Sequence, residues 1–213
     1  MEAKYCIFDM DGTLVDSMGE WDKLQHEILA AKGVEAGRAE AIVEAYHLTL
    51  YDSAVFFIER FGLPDDPAAL EKEMNDAMER RYRTTVPAKP GVQEFMRRLK
   101  AQGTTMCVVT CSEEQMVRAC LNRLEMEQNL QFVLSCADLG CSKERPDGYF
   151  EAVRRMGCRP EETVVFEDSL SAARTAKAAG FHVVGVYDIN SADTWQEMTA
   201  LADRTIMGWE ELL

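Results

Sequence analysis

Hydrophobic positions fall into two regimes along this chain. From Pro90 onward, compact apolar runs alternate with amphipathic stretches. Residues 91–102 carry Val92, Phe95, Met96 and Leu99 at helical spacing, and residues 105–110 form a continuous apolar run of strand length. The alternation then continues: helix over 113–124, strand over 131–135, helix over 149–156, strand over 163–166 and an alanine-rich helix over 171–179 ended by Gly180. A buried strand over 182–186 and a last edge strand over 204–207 complete it. Strands alternating with helices predict right-handed crossovers and an α/β fold, a doubly wound, mostly parallel, Rossmann-like sheet.

The other regime lies nearer the start. A short apolar strand over 4–9 opens the chain, and helical periodicity alone follows it. Trp21, Leu24, Ile28 and Leu29 share a helical face before Gly33. A second helical run is expected over 39–61, closed by Gly62-Leu63-Pro64 and bearing Tyr46, Tyr51, Phe56, Phe57 and Phe61. These aromatics are expected to form that region's own core. A third run covers 67–83, with Leu70, Met74, Ala77 and Met78 on one side, and residues 84–90 with their two prolines act as a linker. The predicted organisation is an α/β core of residues 1–14 and 87–213, interrupted by an all-helical insertion over 15–86.

In a parallel sheet ligands gather at the carboxyl ends of the strands, so the residues just past each predicted strand matter most. The first strand presents Asp9 and Asp11, with Gly12 and Thr13 directly behind; the second presents Thr110 and Ser112. The loop after the third holds Lys143 and Arg145, and the fourth strand presents Glu167 and Asp168. Clustered carboxylates need a cationic partner, and a hard cation with oxygen ligands suits them. Carboxylates, hydroxyls and an ammonium on one edge suit phosphoryl transfer. Structural readings stand beside this one. Thr110 could satisfy a backbone group at a strand end, Ser112 could share its role, and Arg145 competes with Lys143 as an anion ligand. Glu167 and Asp168 could be acids favoured at a helix N-terminus. His26, His47 and His182 lack catalytic partner spacing, and Asp16 and Ser17 fit a hinge or the cap of the next helix.

Charge and cysteine content narrow the function classes. The chain has 213 residues with a formal net charge of -14. That surface disfavours nucleic-acid binding and docking on anionic membranes, and an anionic substrate needs a local positive device. Seven cysteines occur without Cys-x-x-Cys zinc spacing, a pattern suited to reduced thiols packed as small hydrophobes. With no signal-peptide pattern and no apolar run of membrane-spanning length, the expected location is cytoplasmic. Oligomeric state has no signature in the sequence.

Asp9-Met10-Asp11-Gly12-Thr13-Leu14-Val15-Asp16-Ser17 resembles the first motif of the haloacid dehalogenase-like hydrolase superfamily, in its phosphatase branch. Thr110 resembles the second motif, Lys143-Glu144-Arg145-Pro146-Asp147 the third, and Glu167-Asp168-Ser169 with the run to Gly180 the fourth. The four occur in the expected order, and the insertion after the first is similar to the helical cap of the β-phosphoglucomutase-like subgroup. The resemblance implies a Mg²⁺-dependent phosphatase acting on a small phosphorylated metabolite. Asp9 is then the nucleophile that forms an aspartyl-phosphate, and Asp11 the general acid and base. Mg²⁺ is held by the Asp9 carboxylate, the Asp11 backbone carbonyl and Asp168, with Glu167 binding directly or through water. Thr110 and Lys143 hold the phosphoryl oxygens, with Ser112 as a further candidate. The cap is implied to close over the core and exclude water.

Some positions depart from that pattern. Ser171-Ala172 stands where the subgroup has a glycine, and Glu114 where relatives often have an amide. The segment from Tyr46 to Asp52 lacks the arginine associated with sugar-phosphate mutases. Hydrolysis is therefore favoured over a phosphomutase reaction, the alternative. A dehalogenase needs neither Asp11 nor Mg²⁺, and an inactive binding module does not need both Asp9 and Asp168.

Overall fold

The first strand, β1 (Tyr5–Phe8), lies in the interior of a six-stranded sheet. In this computed structural model, which describes residues 3–45 and 48–213 with the backbone alone at Val43, the other strands are β2 (Thr105–Thr110), β3 (Phe132–Ser135), β4 (Thr163–Glu167), β5 (His182–Val186) and β6 (Arg204–Ile206). Their order is β3-β2-β1-β4-β5-β6, and every pairing is parallel. The α/β doubly wound sheet expected from the sequence is thus the observed fold. Successive strands run outward on one side of β1 and then on the other. This makes the β1/β4 boundary the topological switch point, where the crevice at the strand ends opens.

Register aligns those ends. Phe8 pairs with Val108 on one side and Phe166 on the other, and Thr110 pairs with Ser135. The Asp9 amide still donates to the Phe166 carbonyl at 3.0 Å, so Asp9 leaves β1 on the same edge as the end of β4. Apolar side chains alternate between two buried faces. On one, Ile7, Cys107, Val109, Val165 and Val183 meet residues of α7 (Asp147–Met156) and α8 (Leu170–Ala178). On the other, Phe8, Phe166 and Trp209 stack with Phe95 of α5 (Val92–Ala101), the Phe8 and Phe166 rings lying 4.8 Å apart. Offset aromatic packing of this kind adds about 0.5–1.5 kcal/mol per pair beyond area burial.

The residues separate into two compact units, Met1–Ser17 with Thr85–Leu213, and Met18–Thr84. Within the first, the outgoing and returning segments pair across an isolated antiparallel bridge, Val15 with Ala88, supported by Asp16 N–H to Pro87 O and Lys89 N–H to Leu14 O. That unit also contains α6 (Glu114–Arg123) and α9 (Trp195–Leu201). No element was expected where α9 lies.

The second unit is built from α1 (Met18–Ala31), α2 (Ala36–Ala39), α3 (Leu50–Phe61) and α4 (Pro67–Thr84). Leu24, Ile28, Leu29, Phe57, Leu70, Met74, Met78 and Tyr82 are buried within it. Trp21 donates to the Tyr82 hydroxyl at 3.3 Å, and Arg81 pairs with Glu20 at 2.9 Å. Two expectations need correction here. The run over 39–61 is not one helix. A 3₁₀ turn covers Glu40–Ala45, and a fresh helix begins at Leu50, where the Thr49 hydroxyl accepts from the Asp52 amide at 3.1 Å. A side-chain cap of this kind starts a new helix rather than continuing an old one. Of the aromatics assigned to this core, Phe57 is buried, while Tyr51 is 46% exposed at the first turn of α3. Tyr46 and His47 lie outside the described residues.

Candidate active site

The loop after β1 is wound tightly by its own backbone. The amides of Thr13, Leu14 and Val15 all donate to the Met10 carbonyl, at 3.3, 2.8 and 3.0 Å. Gly12 takes φ +81° there, and a Cβ at that position would fall 2.3 Å from Asp168 Oδ2. Both the left-handed backbone and the close approach of Asp168 require glycine. The next residue uses that closeness, since the Thr13 hydroxyl donates to Asp168 Oδ1 at 3.0 Å.

Asp9 and Asp11 face different partners. Asp9, almost fully buried, accepts a hydrogen bond from Lys143 Nζ on Oδ1. Asp11 accepts from the Ser17 hydroxyl at 2.6 Å and the Ser112 hydroxyl at 2.8 Å. The two acids, one residue apart in an extended-to-loop transition, are therefore held by different hydrogen-bond donors, Asp9 by Lys143 and Asp11 by Ser17 and Ser112.

Lys143 reaches the same edge from the loop before α7. Its ammonium also donates to Glu167 Oε1 at 2.5 Å, and the Tyr149 hydroxyl donates to that oxygen at 3.0 Å. Burial works against the Lys143 charge, but Asp9 and Glu167 outweigh it and hold its pKa well above the usual lysine range. Arg145 instead turns to Asp147 at 3.0 Å and is exposed. Thr110 is buried, and its hydroxyl accepts from the Ser112 amide at 3.1 Å, so Thr110 and Ser112 form one turn at the end of β2. Glu114 pairs with Arg118 at 2.6 Å. His26 bonds the Asp22 carbonyl one turn back, and His182 lies beside Asp203.

Asp9, Glu167 and Asp168 offer buried carboxylate oxygens within 4.8 Å of one another. Burial, then the negative neighbours Asp9, Glu167 and Asp188, push the Asp168 carboxyl well above the usual range. Glu167 is pushed up to about 7 by burial and by Asp9, against the pull of Lys143 and Tyr149. Among the described residues the hydrogen bonds to Asp168 come from hydroxyls, Thr13 at 3.0 Å and Ser191 at 3.4 Å. Three crowded acids with one ammonium and an all-oxygen donor set fit a hard divalent cation such as Mg²⁺.

Several contributors to this site had no expected role. Tyr149 was expected only as a helix residue, although its helical spacing to Ala152 and Val153 marks a buried phenol that needs a partner. Thr13, Ser17 and Ser191 carry weak local signals, being hydroxyls in polar loops. Ser17, expected in a hinge or as the cap of the next helix, directly precedes α1, and its hydroxyl goes to Asp11.

The sequence model described as haloacid dehalogenase-like hydrolase matches residues 6–186. The chain belongs to that family. Its similarity to curated family members is spread along its length. It is 27% identical to hexitol phosphatase B of Escherichia coli over 81% of this chain and 78% of that protein. It is also 27% identical to the phosphorylated carbohydrates phosphatase of Thermotoga maritima, over 95% and 93%. The crystal structure of CbbY from Rhodobacter sphaeroides in complex with phosphate shares the fold at TM-score 0.83 and 22% identity, covering 99% of this chain and 96% of that one.

Within this haloacid dehalogenase-like hydrolase, the departure at Ser171-Ala172 is absorbed locally. Ala172 is buried in α8, while the Ser171 hydroxyl lies 3.1 Å from that of Ser169. No helix among the described residues is long and apolar enough to cross a membrane.

Proposed function

We propose that this haloacid dehalogenase-like hydrolase is a Mg²⁺-dependent phosphatase of small phosphorylated metabolites, phosphorylated sugars foremost. The observation that carries the reading is the convergence of Asp9, Lys143, Glu167 and Asp168 at the switch point, with Asp11 held apart on its own hydroxyls. The names of the relatives, a hexitol phosphatase and a phosphatase of phosphorylated carbohydrates, support the substrate class.

Asp9 attacks phosphorus: a bond forms from its carboxylate oxygen as the ester P–O bond breaks, giving an aspartyl-phosphate. Asp11 gives its proton to the departing alkoxide. It then takes a proton from water, which attacks the aspartyl-phosphate and releases inorganic phosphate and free Asp9. Ser17 and Ser112 hold the Asp11 carboxyl through both steps. Lys143 keeps Asp9 oriented and, with Thr110 and Ser112, receives the phosphoryl oxygens. Asp9, Asp168, the Asp11 backbone carbonyl and Glu167, directly or through water, would hold Mg²⁺. When bound, the cation neutralises charge on the phosphoryl group. Residues 1–14 and 87–213 act as the catalytic core and residues 15–86 as a cap that selects the leaving group.

A panel of phosphate esters assayed with and without Mg²⁺ tests the reading. Release of inorganic phosphate that requires Mg²⁺ is expected, with sugar or sugar-alcohol phosphates among the better substrates. An isomerised sugar phosphate with little free phosphate would instead identify a phosphomutase.

A further inference from the structure

Cys111 and Cys136 occupy matching positions just past the ends of neighbouring strands, β2 and β3. Thr110 of β2 pairs with Ser135 of β3, so the residue after each continues the register, and the Cys136 amide donates to the Thr110 carbonyl at 2.7 Å. Neighbouring strands run about 4.8 Å apart, inside the window of about 4.4–6.8 Å that disulfide-bonded Cα atoms require. Paired residues of a parallel ladder point to the same face, and the Cys136 side chain is the strongest influence on the Cys111 thiol. The pair is also asymmetric. Cys111 is exposed, whereas Cys136 is buried beneath α7, packed so tightly that a Cβ at Gly148 would lie 2.8 Å from its Sγ.

We propose that Cys111 and Cys136 form a reversible dithiol/disulfide modification site whose oxidant is a peroxide. Cys136 and the nearby Lys143 charge outweigh the Asp9 carboxylate and hold the Cys111 thiol below its ordinary range, and its exposure lets a peroxide reach it. The neighbouring Cys111 and then burial push the Cys136 thiol upward, and its buried position leaves it the resolving partner. The Cys111 thiolate attacks one peroxide oxygen, the O–O bond breaks, and after proton uptake a sulfenic acid and one water result. The Cys136 thiol then attacks that sulfur, forms the S–S bond, and a second water leaves. Two thiols lose two electrons and two protons, and one peroxide accepts them. Cys111 stands between Thr110 and Ser112, and Ser112 holds Asp11. A Cys111–Cys136 bond constrains the turn that presents Ser112 to Asp11, so the disulfide is inhibitory; that consequence rests on the phosphatase reading above.

The full chain is reduced, freed of reductant, treated with hydrogen peroxide, and followed by peptide mapping and by Mg²⁺-dependent hydrolysis of a phosphate ester. The expected result is a Cys111–Cys136 cross-linked peptide whose yield tracks loss of activity, both reversed by dithiothreitol. Cys111→Ser should keep its activity through the treatment, and Cys136→Ala should leave Cys111 as a sulfenic acid trapped by dimedone. A Cys136–Cys141 cross-link, or Cys111 recovered unmodified, overturns the proposal. So does inactivation of Cys111→Ser at the wild-type rate. The mapping is independent of turnover, so an untreated protein inactive on every ester fails the function while the cross-link still judges the site.

Discussion

The indole N–H of Trp209 donates to the Thr13 carbonyl at 3.1 Å, joining the last turn of the chain to the loop after β1. Thr13 in turn donates its hydroxyl to Asp168, so a buried aromatic cluster anchors the residue that orients a proposed metal ligand. Trp209→Phe keeps an aromatic ring against Phe8, Phe95 and Phe166 but leaves a buried carbonyl unpaired. A loss of about 1–3 kcal/mol is expected in chemical denaturation. Thr13→Val exchanges the hydroxyl for a methyl of similar size, and a fall of about tenfold or more in Mg²⁺ affinity is expected by calorimetry. Unchanged affinity would remove Thr13 from the site.

The different donors that hold Asp9 and Asp11 predict different defects. Asp9→Asn should abolish turnover, because an amide is a poor nucleophile and a weaker Mg²⁺ ligand. Asp11→Asn should lose about 10²–10⁴ in kcat, the usual worth of a general acid or base, with Mg²⁺ binding retained. Near wild-type activity in Asp9→Asn, measured as phosphate release, would falsify the mechanism. Lost metal binding in Asp11→Asn would refute the division of roles.

Lys89 tests how the returning segment is held. Its ammonium donates to the buried Asp188 at 2.6 Å and to the Tyr187 carbonyl at 3.2 Å, at the end of β5. Burial opposes the Asp188 charge, yet Lys89 and the Asn190 bonds outweigh it and hold the carboxyl below the usual range. A depressed carboxyl contributes stability above its unfolded pKa and loses it as pH falls through the folded value. Lys89→Met strands the buried carboxylate, so about 3 kcal/mol of stability should be lost at neutral pH. In urea titrations that deficit should shrink below about pH 4, where the unfolded carboxyl is protonated. A deficit independent of pH would show that the loss is one of packing.

Much of this fold was legible because the strand signal here is strong. Runs such as 106–109 and 183–186 carry no polar side chain and are buried, as the middle of a strand covered on both faces must be, and each lies in a strand. The continuous helix over 39–61 failed because periodicity alone does not register a local cap, and the Thr49 hydroxyl restarts the chain. The α9 segment went unseen because it is only seven residues long, about two turns, so Trp195, Met198 and Leu201 at helical spacing make too short a period to stand out. At the site, the acids announced themselves by spacing at strand ends. Tyr149 and Trp209 did not, since their polar atoms meet partners 18 and 196 positions away, a relation only the sheet creates.

Removing the cation should expose the strain among the buried acids. With Glu167 pushed up to about 7 and Asp168 also raised, the metal-free folded protein holds protons that the unfolded chain has already released. Stability therefore falls as pH rises from about 4.5, the unfolded glutamate range, through about 7. A bound cation competes with those protons, and its stabilisation follows its affinity. The rise in melting temperature caused by Mg²⁺ should thus be small near pH 5 and clearly larger near pH 8, while EDTA-treated protein melts lower at the higher pH. Asp168→Asn removes one of the crowded charges. That variant should flatten the metal-free pH dependence and lose most of the Mg²⁺ response. If Mg²⁺ raised the melting temperature equally at both pH values, and equally in Asp168→Asn, the buried acid cluster would not be where the cation binds.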